Sequence, residues 1–202
     1  MVNMARPLNS HRLGDGHRLC QLWCQEDSAM TTPLKGIHHS AYRCRDAEET
    51  RAFYEDVLGL PLAAVVQEEN EPGSGRPNPF VHLFFRMPDG NFIAFFDAPK
   101  SVKEGDFALV HGFDRHVAFE TDGEENLLAW RDKLNAAGVP CFGPIDHGFV
   151  KSVYFSDPNG LPLEITARVA AHDAILAEDA KTAHAVIQAW SARKAAEAEK
   201  AA

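Results

Sequence analysis

No apolar run in this chain is long enough to span a bilayer, which takes about 20 such residues in a row, so no membrane partner is expected. Basic residues are scarce: 20 Lys and Arg stand against 29 Asp and Glu, a formal net charge of −9. That balance argues against a nucleic-acid partner, whose phosphates demand a basic surface. Cysteine is sparse too. Cys20, Cys24, Cys44 and Cys141 form no disulfide framework, and the first 30 residues lack the apolar core of an export signal. The four are therefore read as reduced thiols and the protein as cytoplasmic. What remains is 45% hydrophobic and 24% charged over 202 residues, ordinary for a globular chain of one domain or two small modules sharing a core.

Residues 1–29 show neither helical nor strand periodicity and are expected to be a disordered tail or a mispredicted start ahead of Met30. His11, His17, Cys20 and Cys24 lie there, but their spacing fits no common zinc pattern. From residue 36 the pattern sharpens. "GIHHSAYRCR" reads as a strand. Asp46 with Glu49 three residues later is a capping box opening "DAEETRAFYEDVLGL", where Thr50, Phe53, Tyr54, Val57 and Leu58 share one helical face. "LAAVVQ", a polar Gly/Pro-rich loop over 68–79, "FVHLFFRM", a "PDG" turn and "NFIAFFD" complete a β-α-β-β-β module.

The order then recurs. "RHVAFET" is a strand. "DGEENLLAWRDKLNAAG" is a helix with Leu127, Trp130, Leu134 and Ala137 on one face. "VPCFGPI", "SVYFS" and "LPLEITA" are strands, the last two joined by "DPNG". The fold class predicted is α+β: two β-α-β-β-β modules, about 36–100 and 112–168 within a domain spanning 30–168, whose repetition implies that they pack together and bury a joint core. Residues 169–202 are predicted as one Ala-rich C-terminal helix, whose stripe of Leu176, Ala180, Ala183, Ile187 and Trp190 packs on the domain or on a partner subunit.

The repeat selects the candidate site. "HSAYRC" from His39 aligns with "HVAFET" from His116, and "FFRMPDGNFIAF" from Phe84 with "YFSDPNGLPLEI" from Tyr154. Pro88 then meets Pro158, Gly90 meets Gly160, and Ala94 meets Glu164. Strand side chains alternate, so His116, Ala118 and Glu120 share a face. His39, rather than His38, is the equivalent of His116. Two histidines and a carboxylate pointing into one cavity have the composition of the facial triad that binds Fe(II) and leaves positions open. The bland alternatives are a hydrogen-bonded core histidine in each strand and a Glu164 paired to an arginine.

These residues carry a family resemblance over about 36–167. "HHSAYRCRDAEETRAFYEDVLGL" looks like the opening strand and helix of the vicinal oxygen chelate superfamily, which includes glyoxalase I, epimerases, bleomycin and fosfomycin resistance proteins and type I extradiol catechol dioxygenases. "IDHGFVKSVYFSDPNGLPLE" resembles the dioxygenase branch, with His147, Val153, Tyr154, Asp157, Pro158, Gly160 and Glu164 at matching spacing. By that resemblance the paired modules would form a cupped mixed sheet around a metal site, with His39, His116 and Glu164 as the metal ligands and Tyr154 and His147 catalytic. The cofactor implied is Fe(II), or alternatively Mn(II) or another divalent metal. The partners implied are a small aromatic diol and O2, in a homo-oligomer (dimer or higher).

One departure stands out. The branch usually carries an acid/base histidine where Asn91 falls, and Asn does not titrate. His82 or another residue would have to substitute. Asn91, His82 and Phe149 are the candidate substrate contacts, with Phe84, Phe92 and Phe95 as further apolar lining. Ala94 stands where four-ligand glyoxalases and epimerases place a ligand, which favours oxygen chemistry. The rival readings are a glyoxalase-like metal-dependent lyase or isomerase, and a ligand-sequestering resistance-type protein.

Overall fold

The computed structural model describes residues 34–109 and 111–201. The extension over 1–29, with its possible zinc residues, lies outside the described residues. No helix among those described is long and apolar enough to cross a membrane.

The first module opens with β1 (His39–Cys44). Asp46 caps the helix that follows, its carboxylate accepting from Glu49 N at 2.7 Å. The reciprocal half of the expected capping box is not made, because the Glu49 carboxylate turns instead to the Arg45 guanidinium at 2.7 Å. Helix α1 (Ala47–Arg51) then widens into a π-helical stretch, Ala52–Val57, in which Leu58 N reaches back five residues to Phe53 O at 3.0 Å. The predicted face does turn inward: Thr50, Phe53, Tyr54 and Leu58 are buried.

Strands β2 (Leu62–Asn70), β3 (Pro77–Arg86) and β4 (Phe92–Asp97) complete the module. The long loop predicted over 68–79 is shorter than its composition implied. Glu71 gathers Ser74, Arg76 and Asn78 around its carboxylate, and both strands extend toward this tight connection.

The second module repeats the plan with β5 (Val117–Thr121), α2 (Gly123–Ala136), β6 (Phe142–Asp146), β7 (Val150–Ser156) and β8 (Pro162–Arg168). The sheets have orders β1-β4-β3-β2 and β5-β8-β7-β6, each with one parallel pair and two antiparallel pairs. The parallel registers bear out the repeat at single-residue level: Ala41 pairs Ala94, and Ala118 pairs Glu164. The two turns also match. Met87 N donates to Asn91 O at 2.8 Å and Gly90 N to Met87 O at 3.0 Å. Asp157 N donates to Leu161 O at 3.0 Å and Gly160 N to Asp157 O at 3.1 Å.

One face of each sheet, with the helices, feeds a shared core that includes Tyr54, Phe85, Phe95, Leu127, Val153 and Leu163. Two apolar faces sealed against each other are the main stabilising element of such a fold. A buried polar junction ties the modules together. Asp157, in the second turn, accepts from Tyr54 Oη at 3.1 Å, Asn159 N at 2.8 Å and Leu161 N at 2.8 Å. Asn159 donates to Thr50 Oγ1 at 3.2 Å and accepts from Arg45 N at 2.8 Å. The same turn is pressed by the inter-module linker. Gly160 has φ +76°, and a Cβ there would sit 2.8 Å from Ala108 O and 2.9 Å from Phe107 O.

Beyond β8 the single predicted C-terminal helix is two, α3 (His172–Ala180) and α4 (Ala183–Ala201). Lys181 N and Thr182 N bond three residues back rather than four, which tightens the chain between them. Leu176, Ile187 and Trp190 are 40%, 64% and 53% exposed, so the apolar stripe does not pack on the described domain.

Candidate functional site

Strand alternation gives each sheet a second face, turned away from the shared core. In the second module this face is polar. Glu164 on β8 is buried, beside Ala118 of β5 and opposite Tyr154 of β7. Tyr154 Oη donates to Glu164 Oε1 at 3.3 Å. His147 Nε2 lies 2.6 Å from the same hydroxyl. A phenol has one proton to give. With that proton directed to Glu164, Tyr154 Oη accepts from His147 Nε2–H, which fixes that tautomer. Burial, then the Glu164 charge, push the Tyr154 phenol above its ordinary pKa, so it keeps its proton at neutral pH.

His116, immediately before β5, completes the cluster. Its Nδ1 lies 2.8 Å from Gly112 O, which only an N–H can satisfy, and its Nε2 lies 3.5 Å from Glu164 Oε2. A backbone carbonyl holding one ring nitrogen so that the other presents its lone pair is the usual support of a metal-ligating histidine. Two donors each about 2.1 Å from one ion stand roughly 3.0–3.4 Å apart at right-angled to tetrahedral geometry, so His116 and Glu164 fit a shared cation with little movement. A cavity of about 550 Å³ lies where β7 ends and β8 begins, lined by Leu109, Gly112, Pro140, Phe155, Pro162 and Leu163 among others; of the cluster only Tyr154 reaches it. Its volume is in the range of small-molecule sites.

In the first module the equivalent face is aromatic. His82 on β3 stacks on Phe96 at 3.6 Å between ring centroids and leans on Phe84 at 4.1 Å. Phe80 and Phe92 extend this wall. His39 sits at its edge, 5.6 Å from Phe84 and 6.1 Å from His82. The His82 imidazole is pushed below its ordinary pKa by burial, then by His39, and its Nε2 is buried without a partner among the described residues. Ala94, at the position equivalent to Glu164, is fully buried in this wall.

The structure therefore brings His116, Glu164, Tyr154 and His147 together, and groups His39 with His82. His39 Nδ1 lies 2.9 Å from His38 Nδ1. Among the described residues no three His, Cys, Asp or Glu side chains converge closely enough to hold one metal ion. Asn91 donates its side chain to Asp89 at 2.9 Å within the turn. Phe149 packs on His172, 5.8 Å between centroids. Phe84 and Phe92 belong to the wall, whereas Phe95 faces the opposite way, against Tyr54 and Phe85. Sequence reasoning missed Gly112 as the carbonyl that orients His116. It also missed the Asp157–Asn159 junction, whose signal was the presence of Thr50 and Tyr54 on a buried helical face.

Comparison with known proteins adds to this geometry. The profile of the Glyoxalase/Bleomycin resistance protein/Dioxygenase superfamily matches residues 36–165. The Bacillus subtilis (strain 168) protein MhqE, named as a candidate ring-cleaving dioxygenase, is 28% identical over 134 residues, 65% of this chain. The chain spans only 41% of that relative's length. Among solved structures, a glyoxylase/bleomycin resistance protein/dioxygenase domain from Frankia sp. EAN1pec superposes with a TM-score of 0.54 at 16% identity, covering 68% of this chain and 100% of that one. A mutant of the fosfomycin resistance protein FosX from Listeria monocytogenes, complexed with Mn(II) and a dihydroxypropylphosphonic acid, gives a TM-score of 0.51 at 18% identity over 70% of this chain and 98% of that one. At these identities the structural likeness is one of fold.

Proposed function

The chain belongs to the glyoxalase/bleomycin resistance protein/dioxygenase superfamily, and from that premise we propose that it is a metal-dependent dioxygenase that opens the ring of a catechol-type substrate with O2. The observation that carries this reading is the hydrogen-bonded run His147–Tyr154–Glu164 beside His116. Neither the fold nor a bare cation site requires the first two of these residues. The similarity to MhqE points the same way.

In this reading His116, Glu164 and His39 hold Fe(II), with Mn(II) the alternative, as FosX holds Mn(II). His39 would leave His38 to join the pair. The cation, when bound, would draw in two neighbouring substrate oxygens and acidify their hydroxyls. The chain's own groups do the rest. Tyr154 keeps its proton and can turn it from Glu164 to a substrate oxygen by rotation about one bond. His147, exposed on its outer side, can re-supply a proton from solvent through the same phenol. Acid/base groups placed this way contribute about 10²–10⁴-fold.

The wall of Phe84, Phe92 and His82 offers the face of an aromatic ring something flat to lie on. His82 lies in that wall, and in this reading it or another residue would serve as the acid/base group that Asn91, bonded to Asp89 in the turn, does not supply. Phe149 would reach substrate only by leaving His172. The activity belongs in the cytoplasm, where Fe(II) and the thiols stay reduced.

The test is anaerobic purification with Fe(II), metal analysis, and oxygen uptake against a panel of catechols. Stoichiometric metal with catechol-dependent oxygen uptake is the expected result. Bound metal with no uptake on any catechol would overturn the dioxygenase and leave a lyase or isomerase. No metal at all would leave a sequestering protein.

A further inference from the structure

The two modules repeat each other, yet their outer strands differ in how they end the sheet. An edge strand offers unpaired N–H and C=O groups, and natural proteins blunt it with shortness, proline, lysine or irregularity. Strand β6 is blunted. It has five residues, contains Pro144, and its register with β7 is broken between Phe142 and Ile145. Strand β2 is protected only toward its ends. It has nine residues, LAAVVQEEN, with neither Pro nor Lys, and its charges, Glu68 and Glu69, are confined to its second half. Its irregularities lie toward its two ends, between Leu62 and Ala64 and between Glu68 and Asn70, so 64–68 is a regular ladder against β3. No described strand pairs its other edge. Val65 is 50% and Val66 43% exposed, one on each face of the sheet, opposite Leu83 and His82 respectively.

We infer that this edge is where a second copy of the chain adds to the sheet, antiparallel across a two-fold axis, with Val65 facing Val65. The occupant follows from the distribution of charge along the strand. Its first half is apolar and its second half carries Glu68 and Glu69. An antiparallel copy lays the acidic half of each strand against the apolar half of the other. In an antiparallel ladder a residue that bonds across the gap faces another that does so, and in a strand these alternate. Two identical strands must therefore centre on a residue that faces itself. Centred on Val65, Ala64 faces Val66 and Leu62 faces Glu68, so the middle of the contact is wholly apolar and no carboxylate meets another. Centred on Val66, Val65 would face Gln67 and Ala64 would face Glu68. Centred on Glu68, like charges would oppose directly, which is unfavourable.

The experiment is sedimentation velocity on the full chain and on Val65→Lys and Val65→Glu, each checked for folding by circular dichroism. The native chain should be dimeric. Each charged variant should weaken self-association by about tenfold or more, because a like pair then sits on the axis. An equimolar mixture of the two should re-form a dimer containing one of each by native mass spectrometry. Hydrogen exchange on the native chain reads the same contact without substitution: amides in 64–68 should slow as concentration rises. A native monomer at all concentrations, variants that dimerise as strongly as wild type, a mixture that stays monomeric, or exchange in 64–68 that ignores concentration would each overturn the inference.

Discussion

Replacing Asp157 by alanine should destabilise the fold far more than its place in a turn implies. Asp157 is 5% exposed, and its carboxylate satisfies Tyr54 Oη, Asn159 N and Leu161 N. Alanine would strand these three donors in positions that solvent hardly reaches, since Tyr54 is 0% and Asn159 and Leu161 are each 3% exposed, while the Asn159 side-chain amide, a fourth donor at 3.1 Å, would keep Thr50 Oγ1. At about 1–3 kcal/mol per stranded group, with some recovery by an entering water, the loss is about 3–5 kcal/mol. That is a large part of a typical stability of about 5–15 kcal/mol. Tyr54→Phe removes one donor and leaves Asp157 two backbone N–H groups and the Asn159 side-chain amide, so it should cost about 1 kcal/mol. In the Tyr54→Phe background, Asp157→Ala should cost less than it does alone, because one of its victims is already gone.

Urea unfolding followed by tryptophan fluorescence measures all four corners of this cycle. An Asp157→Ala variant within about 1 kcal/mol of wild type would refute the reasoning and mean that water already supports the junction. The pH dependence supplies a second check. Burial outweighs the hydrogen bonds and holds the Asp157 carboxyl above the ordinary carboxylate range. The folded state therefore binds that proton more tightly than the unfolded chain. The associated stability is complete below the ordinary pKa and is lost as pH rises through the raised one. The stability of wild type relative to Asp157→Asn should accordingly shrink as pH climbs through the mildly acid range.

Three further outcomes can be checked. His39→Ala, His116→Ala and Glu164→Ala should each strip bound metal, while His38→Ala should retain it; metal analysis showing the reverse for the two adjacent histidines would shift the proposed register by one residue. Tyr154→Phe should keep metal and most of KM but lower kcat for oxygen uptake by about 10²-fold, the mark of a contact made chiefly in the transition state, and wild-type turnover would remove Tyr154 from the chemistry. Gly90 and Gly160 occupy matching turns with φ +89° and +76°, but only Gly160 meets linker carbonyls. Gly90→Ala should therefore cost about 1–2 kcal/mol from backbone strain alone, and Gly160→Ala clearly more; equal midpoints in thermal unfolding would show that the linker yields.

The repeat was the most legible feature of the chain, because it is written twice. It placed Ala94 and Glu164 at matching positions, and the parallel ladders place them so. His116 and Glu164 were legible from the repeat and from strand alternation, which also pointed to His39, whereas Tyr154 and His147 were legible only through the family resemblance of the second module. The junction at Asp157 was not, since its partners Thr50 and Tyr54 are a whole module away and a D-P-N-G turn reads equally well as solvent-exposed. The stretch "EENEPGSGRPNP" misled by composition. Gly and Pro do mark its turn, but the Glu71 cluster draws the strands further together than composition shows. The break between α3 and α4 had no sequence marker at all: Lys181 and Thr182 are neither Gly nor Pro.

The widened turn over Ala52–Val57 bears on how this chain can change length. An ordinary helix advances each residue by about 100°, whereas a π turn accommodates one residue more for the same rise. Here the extra residue lets neighbouring Phe53 and Tyr54 both reach the interior, 6% and 0% exposed, with the Tyr54 hydroxyl on Asp157. Deleting Ala52 would let the segment relax to regular α-helix. It would also remove the extra residue that lets two neighbouring aromatics face inward, so Phe53 and Tyr54 could no longer both keep their places and the bond from Tyr54 to Asp157 would be put at risk. A one-residue deletion that repairs the local hydrogen-bond ladder would thus weaken the seam between the modules. The opposite edit, an insertion in the exposed β2–β3 connection, touches no such seam. Length variation in homologues should therefore collect at that hairpin and avoid the first helix, even though both lie near the surface.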